Sequence, residues 1–113
     1  MAAVYVSNIV INSGADFSQT FLLDDSSTNS ALDLTGYSIS CQMRKYAGSS
    51  TAYSFQASIP NPIEGAIQIG LSTSVTSSIR PGRYIYDVVV TDMNNVKTRV
   101  VEGMALVREG VTH

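Results

Sequence analysis

The 113 residues include no tryptophan, one cysteine, one histidine and three prolines, and only 14% of them are charged. Each scarcity excludes something. A single cysteine, Cys41, cannot form an internal disulfide, so the fold must rest on packing, and synthesis in a reducing cytosol is expected. The only histidine is His113, the last residue, which leaves no buried imidazole for a Ser-His-Asp or Cys-His mechanism and no partners for a zinc site. No GxGxxG or GxxxxGK[ST] loop is present to cradle phosphate. No apolar run approaches the ~20 residues of a membrane span. Ser7 and Asn8 interrupt the opening apolar stretch and no basic segment precedes it, so a signal peptide is not expected either. Seven Lys and Arg against nine Asp and Glu give a net charge of −2, which argues against a nucleic-acid partner.

What the chain does have is 44% hydrophobic residues and an unusual share of hydroxyls: serine and threonine make up roughly a fifth of the sequence. Such a composition folds, and its length suits one domain. A Ser/Thr-rich surface poor in lysine costs little to desolvate. It suits permanent contact with other subunits, and it also occurs in secreted β-proteins.

The hydrophobic period is two almost throughout. Val4, Val6, Ile9 and Ile11 mark an opening extended segment with a kink at Ser7-Asn8, closed by the Asn12-Ser13-Gly14 turn. A second strand is expected near 16–24 and a polar loop from Asp24 to Ala31. The clearest strand sets Tyr37, Ile39, Cys41 and Met43 on one face and Ser38, Ser40, Gln42 and Arg44 on the other. Tyr53 to Ile59 reads as one further strand, and Ile67, Ile69 and Leu71 as the next. Ser72 to Ile79 has room for a single helical turn. Tyr84, Tyr86, Val88 and Val90 then alternate against Arg83, Ile85, Asp87 and Val89. After the Asp92–Asn95 hairpin loop, Val96, Thr98 and Val100 alternate against Lys97, Arg99 and Val101, and the strand resumes from Met104 to Val107 past a bulge or close approach at Gly103. Seven or so strands with turn signals roughly every 8–12 residues predict an all-β, antiparallel β-sandwich. Residues 1–12 are its extended N-terminal arm or first strand, and residues 13–113 the sandwich.

Few constellations carry chemistry. Tyr84, just after the Gly82 turn, fits a tyrosine corner, with Tyr86 filling the core. Arg44, Asp87 and Arg99 fall on the outer side of strands expected to be neighbours, which would set one aspartate between two arginines. Such pairs hold strand register more often than they bind an acidic ligand. Ile85, Val89 and Val101 share that outer face and suggest a subunit contact or cover by the N-terminal segment. Asp24, Asp25 and Asp33 lack calcium-loop spacing, and Asp33 is expected to cap its own Thr35-Gly36 turn. Cys41 is expected to be a small buried hydrophobe. Tyr46 and Tyr5 are the candidates for stacking on a sugar.

Taken in order, Asp33-Leu34-Thr35-Gly36-Tyr37, Gln42-Met43-Arg44, Gly65-Ala66-Ile67, Pro81-Gly82-Arg83-Tyr84-Ile85-Tyr86-Asp87, Gly103 and Val111-Thr112 form a pattern. It resembles the small immunoglobulin-like domain of virion structural proteins of tailed bacteriophages, and is similar to the N-terminal domain of baseplate upper proteins. The resemblance spans roughly residues 14 to 112. It implies a non-catalytic structural subunit of the virion, a tail, neck or baseplate component assembled in the bacterial cytoplasm. Its partners would be other virion proteins and further copies of itself, as trimers or hexamers. In that family the domain is often fused to a longer fibre; with nothing after Val111-Thr112-His113, a small stand-alone subunit is expected here. A capsid decoration protein and a carbohydrate-binding adhesion module are the alternative readings. No cofactor, metal, nucleic acid or membrane is expected. The contact residues expected are Val4, Tyr5, Val6, Arg44, Ile85, Asp87, Val89, Arg99, Val101 and Val111.

Overall fold

Alternating burial along the strands shows how the two layers form. In the computed structural model, which describes residues 5–25 and 30–110, Cys41 and Met43 are buried while Ser40, Gln42 and their like face out. Tyr84, Tyr86, Val88 and Val90 are likewise buried against outward Arg83 and Ile85. Val4 and Val111 lie outside the described residues. The strands are β1 (Tyr5–Val6), β2 (Ile9–Asn12), β3 (Phe17–Leu22), β4 (Asp24–Asp25), β5 (Ser30–Ala31), β6 (Ser38–Arg44), β7 (Ala52–Ser54), β8 (Gln56–Asn61), β9 (Ala66–Leu71), β10 (Gly82–Thr91) and β11 (Lys97–Arg108). Among the described residues, one 3₁₀ turn, Pro62–Glu64, and one helical turn, α1 (Thr73–Thr76), complete the elements.

A large sheet runs β1-β11-β10-β6-β7, with β2 joining β1 on the β11 edge. A small sheet runs β3-β9-β8, and β4 and β5 form a separate two-stranded pair. This is the two-sheet immunoglobulin arrangement, and its core lies between the inner faces. Ile11, Met43, Val88, Val90, Val100, Val101 and Val107 from one sheet meet Ile67 and Ile69 from the other, all at most 2% exposed. Phe55 bridges the layers, edge-on to Phe17 at 6.0 Å and tilted against Tyr86 at 6.4 Å. The corner at Tyr84 is present: its hydroxyl donates to the Arg80 carbonyl at 2.7 Å. Asp33 caps its turn, accepting from the Thr35 N–H at 3.0 Å and hydroxyl at 2.6 Å. Asp92 accepts from the Asn94 and Val96 N–H groups at 2.8 and 2.9 Å and so closes the β10–β11 hairpin.

Three expectations need correction, and the pairing of the opening segment, which the sequence left open, is parallel: β1 and β2 lie along β11, with Tyr5 opposite Val101 and Ile9 opposite Ala105. The loop from Asp24 to Ala31 contains the β4–β5 pair. The single strand read from Tyr53 to Ile59 breaks at Phe55: β7 stays on β6, while β8 crosses to β9. Phe55 marks the crossing, its ring buried and its N–H donating to the Cys41 carbonyl at 2.9 Å. Finally, Val101 is not on the outer face but fully buried. The β10–β11 register shifts so that Val88 faces Val101 while Val89 faces Arg99. Val100 is the extra residue of a β-bulge, and the inward set changes from even to odd positions there. Val100 and Val101 consequently both enter the core.

Gly103 is needed for a close approach. A methyl group there would fall 2.0 Å from the Ser7 carbonyl oxygen and 2.7 Å from its carbon. That junction is fastened by the Ser7 N–H to Glu102 oxygen bond, 2.9 Å, and by the Tyr86 hydroxyl donating to the Ser7 carbonyl at 2.5 Å. Burial pushes the Tyr86 hydroxyl up to about 12. Gly103→Ala is therefore expected to lift β1 off the sheet and lower stability by ~2 kcal/mol or more, read from urea denaturation. Gly48→Ala, whose added methyl has Tyr46 ring carbons at 4.0 Å as its nearest neighbours, should leave the midpoint near the wild-type value.

Asp16 ties the β2–β3 turn to α1. Its carboxylate accepts from the Thr73 N–H and hydroxyl, both at 2.8 Å, and these bonds hold its pKa below the ordinary 3.8. A carboxylate with a lowered folded pKa stabilises the fold above the ordinary value, and that stabilisation disappears as pH falls through the folded value. The difference in urea midpoint between wild type and Asp16→Ala should be full at neutral pH. It should start to close as the pH drops toward 3.8 and vanish below the lowered value.

Candidate functional site

The outer face of the large sheet collects the side chains that alternation and the bulge turn away from the core. β10 contributes Ile85 and Asp87. β11 contributes Arg99 before the bulge and Glu102, Met104 and Leu106 after it. β6 adds Gln42 and Arg44. The N-terminal edge adds Val6, level with Glu102, and Val10, level with Leu106. Ile85 and Met104 are directly opposite one another. Val6 is 77% exposed, Val10 49%, Met104 46%, Ile85 39% and Leu106 38%. Five apolar side chains from four strands thus stand in water on one face, which single scattered surface hydrophobes do not explain. Part of this face sinks into an open depression of about 780 Å³, lined among others by Val6, Arg44, Ile85, Asp87, Arg99 and Met104.

The charges beside it are arranged differently from the expected Arg-Asp-Arg row. Arg99 Nε lies 3.3 Å from Asp87 Oδ2, and its Nη1 lies 3.6 Å from Glu102 Oε2. These are half-exposed pairs, worth at most ~1 kcal/mol each, and they hold the β10–β11 register more than they add stability. Arg44 does not join them. One of its guanidinium nitrogens donates to the Ser49 carbonyl and the other to Gln42 Oε1 at 3.3 Å. The reason is local: the turn after β6 folds back and offers Arg44 a backbone acceptor, while across the strand Arg44 faces Ile85. Among the described residues its hydrogen-bond partners are neutral, and its guanidinium borders the apolar patch.

Of the contact residues expected from sequence, Val6, Arg44, Ile85, Asp87 and Arg99 come together around this depression. Val89 is half-buried on the same strand, Tyr5 is 36% exposed opposite Val101, and Val101 is in the core. Sequence reading missed Val10, Met104 and Leu106. The clue was present: inward residues at 98 and 100 followed by inward residues at 105 and 107 cannot belong to one unbroken alternation. Tyr46, 64% exposed, and Tyr5 do not form a shared stacking platform, because β10 and β11 lie between their strands and Tyr5 is level with Cys41 rather than with the end of β6.

Chemically the face presents contact area, the two ion pairs of Arg99 and the Arg44 guanidinium. Cys41 points from β6 to the opposite side, 3% exposed, and burial pushes its thiol up to about 12, with the Asp87 charge adding to the rise. Among the described residues no group of three or more His, Cys, Asp or Glu side chains is placed to hold a metal, and no helix is long and apolar enough to cross a membrane.

No protein-family model and no curated protein matches this chain. Among solved structures, an internalin-like protein of Listeria monocytogenes aligns with 95% of this chain at 12% identity and a TM-score of 0.45. The alignment takes in 28% of the Listeria chain, so this chain spans little more than a quarter of that protein's length.

Proposed function

We propose that this chain is a non-catalytic structural subunit of a bacteriophage virion, a tail, neck or baseplate component that docks on neighbouring virion proteins through the outer face of its large sheet. The phage assignment rests on the sequence resemblance described above. The observation that carries the docking role is the cluster of Val6, Val10, Ile85, Met104 and Leu106 exposed together beside Arg44. An apolar centre within a polar border is the usual anatomy of a subunit contact. The hydroxyl-rich remainder of the surface adds little desolvation cost. Repetition in a trimer or hexamer multiplies modest contacts through avidity. Assembly would take place in the host cytoplasm.

The β1–β2 segment serves this role as part of the face. Ile9 and Ile11 are buried beneath it, so deleting the segment would test folding instead of docking. The informative variant combines Ile85→Asp with Met104→Asp, two outward residues whose replacement leaves the core intact. In particles of the phage that encodes the chain, mass spectrometry should detect the wild-type protein, and the double variant should fall at least ~10-fold in incorporation while its thermal melt stays within a few degrees of wild type. Full incorporation of a folded double variant removes the face from the proposal. Absence of the wild-type chain from particles removes the virion role. Immunogold labelling on heads instead of tails selects capsid decoration.

A further inference from the structure

The outer edges of the two sheets are not equally guarded. β7 is three residues long. β8 carries Pro60 and a register irregularity between Ser58 and Asn61. The N-terminal edge is broken into β1 and β2 at Ser7-Asn8. Short strands, proline and irregularities are the devices that blunt a sheet edge. The edge formed by β3 has none of them. It is six residues of regular strand, Phe-Ser-Gln-Thr-Phe-Leu, without charge or proline, paired along its whole length with β9 and, among the described residues, with nothing on its other side.

The phase of that pairing says which backbone groups are open. Leu23 donates its N–H to the Gly65 carbonyl at 2.9 Å, in the same register that sets Phe21 opposite Ile67. Hydrogen-bonded rungs alternate in an antiparallel ladder. Phe17, Gln19 and Phe21 therefore turn their peptide groups toward β9, and Ser18, Thr20 and Leu22 turn theirs outward. Among the described residues the Thr20 carbonyl is met by the side chain of its own neighbour, Gln19 Nε2 donating at 3.3 Å.

We propose that this edge pairs with the same edge of a second copy, antiparallel and about a two-fold axis at Gln19, to make one continuous six-stranded sheet. Residues directly opposite in an antiparallel pair share a face, so the axis must pass at a residue and not between two. An axis at Gln19 sets Ser18 opposite Thr20, which are the open peptide groups, and Phe17 opposite the half-buried Phe21. Asp16 then faces Leu22, and Asp24 faces Gly14. An axis at Thr20 would instead set Asp16 against Asp24, and a parallel in-register pair would set each aspartate against its own copy. The axes at Gln19 and Thr20 are the two that overlap most of the Phe17–Leu22 strand, and between them charge favours Gln19; in that register the edge is complementary to a second copy of itself.

The experiment uses the full chain in analytical ultracentrifugation, with hydrogen exchange read at single amides. Wild type should show a concentration-dependent monomer–dimer equilibrium, with the Ser18, Thr20 and Leu22 amides protected only in the dimer. Thr20→Pro removes an outward N–H and no bond to β9, and Thr20→Lys sets charges across the seam. Each should weaken dimerisation at least ~10-fold with an unchanged thermal melt, whereas Ile85→Asp with Met104→Asp should dimerise as wild type does. Three results overturn the inference: a wild type that stays monomeric throughout, a dimer that both Thr20 variants retain, or protection of the three amides that appears only with a different protein. Because the face variant is read separately, failure at the edge leaves the docking face standing, and the converse also holds.

Discussion

One extra residue in β11 decides what half of the large sheet shows to water. Without the bulge at Val100, the alternation of Val96, Thr98 and Val100 would carry on and turn Glu102, Met104 and Leu106 toward the core. With it, Val100 and Val101 are both buried, Ala105 and Val107 follow them inward, and Met104 and Leu106 emerge opposite Ile85 and Arg83. The core gains a dense valine layer from this change. The surface gains the apolar cluster. Both come from one local departure from the period of two, as expected where a bulge re-aims side chains.

The same stretch governs the N-terminus. A strand can lie parallel along β11 only if its backbone comes close, and Gly103 leaves room for Ser7 to do so. The Tyr86 hydroxyl reaches from the core to the Ser7 carbonyl and satisfies it where the chain kinks between β1 and β2. A partly buried carbonyl is better off with a donor, so tyrosine at 86 does two things: it fills the core and fastens the edge. The exposed apolar face is therefore built partly from residues far apart in sequence, Val6 and Val10 beside Met104 and Leu106. Its integrity depends on Gly103 and Tyr86, which lie at the floor of the same depression.

Much of this was readable from the sequence wherever a single physical rule acts locally. Alternation alone gave the inward set of β6 and β10, and the Tyr84 corner, the Asp33 cap and the Asp92 hairpin follow from short-range turn chemistry. What could not be read depends on partners distant in sequence. The break at Phe55 exists because two sheets compete for one extended segment, and no local pattern says where the first sheet lets go. Arg44 was expected to seek Asp87, but the carbonyl of Ser49, five residues on, is nearer in the folded chain. The bulge at Val100 was half visible, as a mismatch of parity between two readable segments, and reading them as one strand put Val101 on the wrong side.

The docking face and the open β3 edge draw on different physics and answer to different substitutions. A face of side chains is specific through shape and charge, so one acid at Ile85 or Met104 alters it. An edge is specific through backbone groups, which every residue except proline supplies, so its selectivity must come from register and from flanking charge such as Asp16 and Asp24. The face belongs to the large sheet and the edge to the small one. A subunit with one two-fold contact and one separate face contact is not limited to a closed pair, because each contact leaves the other free to continue. If both proposed contacts form, copies joined at the two-fold edge at Phe17–Leu22 could continue through the face re-aimed by the bulge in β11, and neither contact would block the other.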